Sequence, residues 1–145
     1  MEYLVGFGLA LAVSCFARVV GLDRDRAFYP TAMFAIASYY GLFALMGGSM
    51  TALAHESFGI VGFILLSTAG FKLNLWLVVA ALFGHGVYDF FHSQLVTNPG
   101  MPPWWPGFCG TYDVIAAGCL AWLLWRNKIP VKPRADSRAA EISAG

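Results

Sequence analysis

Long apolar runs dominate this sequence and restrict the folds that it can adopt. Several of them reach about twenty residues with few charges, which is the length of a helix that crosses the hydrocarbon core of a membrane. Backbone inside a membrane must satisfy its own hydrogen bonds, as a helix or a closed barrel, and continuous apolar runs favour helices. Five transmembrane helices are predicted, at 3–20, 29–46, 51–70, 73–95 and 111–125.

The composition supports this class and excludes others. Hydrophobic residues make up 59% of the chain and charged residues 12%, which is outside the range of soluble domains. The net charge of +1 offers no basic surface for nucleic acid, so membrane lipids are the expected partners. Glu2 stands where a signal peptide carries basic residues, which favours a retained first helix. We expect a helical domain over 1–128 and a polar, disordered cytoplasmic tail over 129–145.

The distribution of Lys and Arg predicts the orientation. Cytoplasmic loops of membrane proteins collect these residues. All nine fall at the first connection, the third connection or the tail, at Arg18, Arg24, Arg26, Lys72, Arg126, Lys128, Lys132, Arg134 and Arg138. We therefore expect an all-α bundle in the plasma (inner) membrane, with the N-terminus outside and the C-terminus in the cytoplasm.

The fourth helix carries an unusual polar segment, "HGVYDFFH", at 85–92. His85, Asp89 and His92 would lie about 18, 24 and 28 Å above the start of that helix, in the outer half of the membrane. At 100° per residue they fall within about 60° of one another and share one face. Ionisable residues inside a span are costly, so such a face predicts a functional site.

Other polar residues are expected at the same height. The third helix runs in the opposite direction and places His55 and Glu56 near its outer end. The fifth helix begins outside and places Asp113 in its first turn. Side chains from three helices would then meet near the extracytoplasmic face.

Three imidazoles with nearby carboxylates suit a divalent transition metal, and Zn²⁺ is the first expectation. The histidines resemble, in ligand type, the three-histidine zinc centres of the membrane hydrolase superfamily that includes alkaline ceramidases. Those proteins have seven spans and a different ligand order. The predicted metal ligands are His55, His85 and His92, and the predicted catalytic carboxylates are Asp89 and Glu56. Further residues are expected around the metal or against the substrate: Asp113, Tyr88, Tyr112, Trp104 and Trp105.

Each residue also has a structural interpretation. Asp113 would be stabilised at a helix N-terminus without any catalytic role. His85 would serve equally well as a hydrogen bond between helices. The Trp pair 104–105 is typical of an interfacial aromatic belt. Cys109 is expected in the preceding loop as a free thiol.

Three function classes remain open. The first is a membrane enzyme, either a metal-dependent hydrolase or a metal-free acid/base enzyme, acting on a lipid or another small apolar substrate. The second is a small transporter or proton relay, although that function needs polar groups across the whole membrane. The third is an assembly subunit that binds partner helices, and self-association as a homo-oligomer is expected for so thin a bundle.

Overall fold

A computed structural model of the chain describes residues 1–24 and 26–133. These residues form five helices: α1 (Glu2–Val20), α2 (Phe28–Met46), α3 (Met50–Lys72), α4 (Trp76–Leu95) and α5 (Trp105–Trp125). Four of them, α1, α2, α3 and α5, are long and apolar enough to cross a membrane. The helical membrane class expected from the sequence is therefore supported.

Helix α4 differs from the others because its polar residues lower its mean hydropathy. Those residues, His85, Asp89 and His92, are all buried inside the bundle. The opposite face of α4 carries large apolar side chains, including Phe83 and Phe90, which are about half exposed. Helix α4 therefore presents an apolar surface outward and its polar groups to its neighbours, as a span in lipid would.

Local signals explain where the helices begin and end. The Ser49 hydroxyl accepts a hydrogen bond of 3.1 Å from the Ala52 N–H and caps the start of α3. Gly21 ends α1 in the left-handed region, with φ of 87°, and its N–H donates to the Ala17 carbonyl at 2.9 Å. A glycine suits that conformation because it has no Cβ.

Helix α5 begins earlier than the sequence predicted. It starts at Trp105 instead of residue 111, and Pro106 occupies its first turn, where a missing N–H costs nothing. Cys109 therefore lies inside the helix and is buried, which corrects its expected position in a loop. Asp113 lies about 12 Å into α5, so a helix-terminus role no longer explains its charge.

Glycines set the closest helix contacts. A Cβ on Gly86 of α4 would lie 2.8 Å from the Gly110 carbonyl oxygen of α5, and a Cβ on Gly110 would lie 2.9 Å from the Gly86 oxygen. On the other side of α5, a Cβ on Gly6 of α1 would clash with the Phe108 carbonyl. Backbones can approach this closely only without side chains between them. Helix α5 is thereby held between α1 and α4.

The described Lys and Arg residues gather at one end of the bundle, where α1, α3 and α5 end and α2 and α4 begin. We call this the basic end, and its residues are Arg18, Arg24, Arg26, Lys72, Arg126, Lys128 and Lys132. The chain beyond α5 also packs here: Ile129 is buried, and the Leu75 N–H donates to the Val131 carbonyl at 3.0 Å. The chain thus packs against the bundle as far as Val131. Residues 134–145 lie outside the described part, and their disorder stays a prediction.

Candidate metal centre

Four buried side chains meet between α4 and α5. They are His85, Asp89, Cys109 and Asp113, which we call the metal group, and each is at most 2% exposed. Each offers one ligand atom, and these atoms all lie within 4.8 Å of one another. The group combines nitrogen, sulfur and oxygen donors, a set that can hold a metal ion.

The same side chains also pair with one another. His85 Nδ1 lies 2.7 Å from Asp113 Oδ2 and 3.5 Å from Asp89 Oδ2. The Cys109 thiol donates a long hydrogen bond of 3.9 Å to Asp113 Oδ2. One oxygen of each carboxylate, Asp89 Oδ2 and Asp113 Oδ1, has no hydrogen-bond partner in the described part of the chain. One imidazole therefore faces two carboxylates, and their charge is incompletely balanced without a further cation or proton.

A short repeat in the sequence produces this arrangement. The segments "HGVYD" at 85–89 and "CGTYD" at 109–113 share glycine, tyrosine and aspartate at the same three positions. In each segment the first and fifth residues lie one helical turn apart on one face. The glycines Gly86 and Gly110 form the contact described above, so the ligand faces of the two helices are pressed together. The repeat thus supplies two ligands from each helix.

Tyr40 of α2 connects the metal group to a second polar cluster. Its hydroxyl donates a 2.7 Å hydrogen bond to Asp89 Oδ1, and its side chain is buried. Its ring stacks on His92, with centroids 4.1 Å apart and planes 11° from parallel. Tyr40 therefore fixes the orientation of a carboxylate on one side and an imidazole on the other.

The second cluster consists of Glu56, His92 and Asn98, and we call it the Glu56 group. Glu56 Oε1 lies 2.8 Å from His92 Nε2 and accepts a 2.9 Å hydrogen bond from the Asn98 side chain. Asn98 also donates to the Tyr40 carbonyl at 3.0 Å, and Tyr88 reaches Glu56 Oε2 at 3.5 Å. The loop that follows α4 is thereby tied to α2 and α3.

The three histidines predicted as one ligand set do not come together. His55 lies inside α3 and is exposed, while its neighbour Glu56 is buried. Adjacent residues on a helix point about 100° apart, so only one of this pair can face the bundle. His85 and His92 both face inward but belong to different clusters. The two predicted catalytic carboxylates are likewise separated, with Asp89 in the metal group and Glu56 in the other.

An apolar cavity of about 720 Å³ lies between α1, α2 and α5, and Cys109 forms part of its wall. Three more residues named from the sequence, Trp104, Trp105 and Tyr112, also line it. The Trp105 indole N–H is buried and donates to no acceptor among residues 1–24 and 26–133. One member of the metal group thus borders a space large enough for an apolar ligand.

Sequence reasoning missed three residues of this region. Cys109 was placed in a loop because the start of α5 was placed too late, although its position in the five-residue repeat was a usable signal. Tyr40 and Asn98 gave no signal, because a tyrosine in an apolar run and an asparagine in a Pro- and Gly-rich loop are both commonplace. Their roles depend on contacts that span 49 and 42 residues along the chain.

Comparison with known proteins adds no family to these observations, since no protein-family model, curated protein or solved structure matches the chain.

Proposed function

We propose that this chain is a five-span membrane enzyme whose metal group binds one divalent transition ion, with Zn²⁺ preferred. The enzyme hydrolyses a lipid or another apolar substrate that enters through the apolar cavity. One observation carries the proposal: four potential ligand atoms lie within 4.8 Å of one another, and one of the four residues also lines the cavity. The metal group thus adjoins the cavity through which the substrate would enter.

Charge balance supports a cation at this position. Two carboxylates face a single imidazole in a buried environment, where charge is poorly screened. A divalent ion would neutralise both carboxylates, with His85 as a neutral ligand. The Tyr40 hydroxyl would then hold Asp89 from outside, as the hydrogen-bond partners of metal-binding carboxylates do.

The distances fit a tetrahedral ion after a small adjustment. Bonds of about 2.0 Å at the tetrahedral angle separate two ligand atoms by about 3.3 Å. His85 Nδ1 and Asp89 Oδ2 are 3.5 Å apart, close to that separation. His85 Nδ1 and Asp113 Oδ2 are 2.7 Å apart, so this pair would open by roughly half an ångström.

Each residue has a defined part in this function. A catalytic zinc site keeps three protein ligands and leaves one position for water or substrate. We assign the three permanent ligands to His85, Asp89 and Asp113, because Cys109 is the member that reaches the cavity wall. A zinc ion held by these residues would supply a nucleophilic water at neutral pH, and the non-ligating oxygen of one of the two aspartates would accept its proton. The Trp105 N–H, which has no acceptor in the described part of the chain, would donate to a polar atom of the substrate.

Orientation and span number belong to the same proposal. Helix α4 spans the membrane together with the other four helices, because its exposed face is apolar and its polar residues are buried. The basic end faces the cytoplasm, which places the metal group toward the outside. The test is labelling with a membrane-impermeant maleimide in intact cells. Ser93→Cys should react from outside and Lys132→Cys only after permeabilisation, and the reverse pattern would refute this topology.

The second candidate is a metal-free acid/base or relay function, favoured by two buried histidine–carboxylate pairs, His85 with Asp113 and His92 with Glu56. A relay across the membrane also needs polar groups near the basic end. There, α3 and α4 offer mainly Ser67 and Thr68, and both hydroxyls donate to backbone carbonyls. A helix-binding assembly subunit remains the third candidate, but it leaves the buried ionisable residues without a role.

Elemental analysis of the purified, full-length protein separates these candidates. After expression with added zinc, the wild type should carry about one metal ion per chain. His85→Gln should lose it, while His92→Gln should retain it; both residues are buried histidines of α4, but they belong to different clusters. His55→Gln is the exposed control. Equal metal content in all four proteins, or a metal-free wild type, would refute the metal centre.

Activity needs a separate measurement. Long-chain p-nitrophenyl esters in detergent micelles are suitable probes, because their acyl chains match the apolar cavity. We expect ester hydrolysis that a chelator abolishes, that zinc restores and that His85→Gln lacks. Metal binding without hydrolysis of any chain length would keep the metal centre and remove the esterase function.

A further inference from the structure

A second cavity of about 720 Å³ lies at the basic end and differs in character from the first. Its lining contains four cationic residues, Arg24, Arg26, Lys72 and Lys128. The remaining lining residues are Phe71, Pro130 and Pro133, so no described lining residue is acidic. These cations come from the α1–α2 connection, the end of α3 and the segment after α5.

Arg26 is the unusual member of this set. It is only 7% exposed, and its Nη2 donates a 2.8 Å hydrogen bond to the Phe71 carbonyl. Its Nε and Nη1 atoms are buried and donate to no group in the described chain. A guanidinium stays charged in proteins, so two unpaired N–H groups beside a cavity leave part of its desolvation cost uncompensated.

The nearby buried acid does not supply the missing partner. Asp23 lies in the same connection and is 1% exposed, but its carboxylate pairs with Arg18 at 3.4 Å. Burial also lowers the pKa of Arg26, as expected for a cation removed from water. Arg26 moreover holds φ at 73°, a conformation that non-glycine residues rarely adopt.

We propose that the basic cavity binds a phosphate group, with Arg26 as the buried donor and Arg24, Lys72 and Lys128 around it. The Nε and Nη1 groups of Arg26, which have no acceptor in the described chain, could each donate a charge-assisted hydrogen bond to a phosphate oxygen, and lysines add charge at the rim. The cavity opens at the basic end of the bundle. In the orientation proposed above, this end faces the cytoplasmic side of the membrane, where anionic phospholipids gather. The phosphate can come from a lipid headgroup or from a soluble phosphate compound. This proposal stands independently of the metal centre.

The test uses the full-length protein, delipidated in detergent, and two charge-matched double variants. Lys72→Gln with Lys128→Gln removes two cations from the cavity rim. Arg126→Gln with Lys132→Gln removes two cations from the same end of the bundle, at exposed positions that do not line the cavity. All four positions are exposed, so both variants should fold.

Binding is measured with three probes: phosphatidylglycerol, phosphatidylcholine and inorganic phosphate. Each lysine near a membrane surface contributes about fivefold to the binding of an anionic lipid, so the rim variant should bind phosphatidylglycerol about 25-fold more weakly. The control variant should change by less than about threefold, because more distant charges are screened. Native mass spectrometry gives the lipid occupancies, and the shift in unfolding temperature confirms them.

The probes also identify the source of the phosphate. Binding of phosphatidylglycerol without binding of inorganic phosphate assigns the site to a lipid headgroup. Binding of inorganic phosphate that the rim variant loses assigns it to a soluble phosphate compound. The proposal fails if neither anionic probe binds, if both double variants lose binding equally, or if phosphatidylcholine binds as well as phosphatidylglycerol. Arg26→Lys is a further check, and an unchanged affinity in that variant would remove the guanidinium from the site.

Discussion

Replacing Gly86 with alanine tests the contact that places the metal group. The new Cβ would lie 2.8 Å from the Gly110 carbonyl oxygen and 2.9 Å from Val114 Cγ2. Ordinary van der Waals contact begins near 3.4 Å, so α4 and α5 would have to separate by about 0.6 Å. The backbone oxygen cannot rotate away as a flexible side chain can. Overpacking of this kind costs about 1–3 kcal/mol.

The same displacement should weaken metal binding. Metal sites require ligands placed to within about 0.5 Å, and here α4 contributes His85 and Asp89 while α5 contributes Asp113. We expect Gly86→Ala to lower the unfolding temperature and to weaken Zn²⁺ binding on the order of tenfold or more. Thermal unfolding in detergent and competition with a fluorescent zinc chelator measure the two effects.

The matched control is Gly84→Ala, two residues earlier in α4. A Cβ there would have only Phe63 Cε1 nearby, at 3.8 Å, which is ordinary contact. Alanine favours a helix over glycine by about 1 kcal/mol, so this variant should be as stable as the wild type or more so. If Gly86→Ala behaves like Gly84→Ala in both assays, the close α4–α5 contact is refuted, and with it the placement of the metal group.

Three further predictions concern the surroundings of the site. Tyr40→Phe keeps the ring but removes the hydroxyl that donates to Asp89, and it should lower the free energy of unfolding by about 1.5–3 kcal/mol. The control, Tyr39→Phe at a half-exposed position, should leave the free energy of unfolding unchanged. Equal effects in the two variants would contradict the stabilising role of the Tyr40 hydroxyl. Asn98→Ala removes two buried hydrogen bonds and should lower the unfolding temperature; an unchanged unfolding temperature would contradict the role of Asn98 in holding the loop after α4. A chelator should destabilise the wild type but leave His85→Gln unchanged, and equal shifts would show that the metal binds elsewhere.

The helices were predictable because the requirement behind them is local. A membrane span needs about twenty apolar residues in a row, and such runs are visible without any knowledge of neighbours. Four of the five predicted helices match the observed bounds within three residues. The fifth was misplaced at its start, because "PPWWPGFC" reads as a Pro- and Gly-rich loop although Pro106 is tolerated in the first turn of a helix.

The site was predictable only in part. The buried face of α4 followed from the helical period, so His85, Asp89 and His92 were all expected to face inward. Whether two inward side chains share a partner depends on how neighbouring helices are rotated and how closely they approach. Here the Gly86–Gly110 contact places Asp113 and Cys109 against His85, while His92 pairs with Glu56 of α3. Such distances arise between helices, and a linear pattern of hydrophobicity carries no information about them.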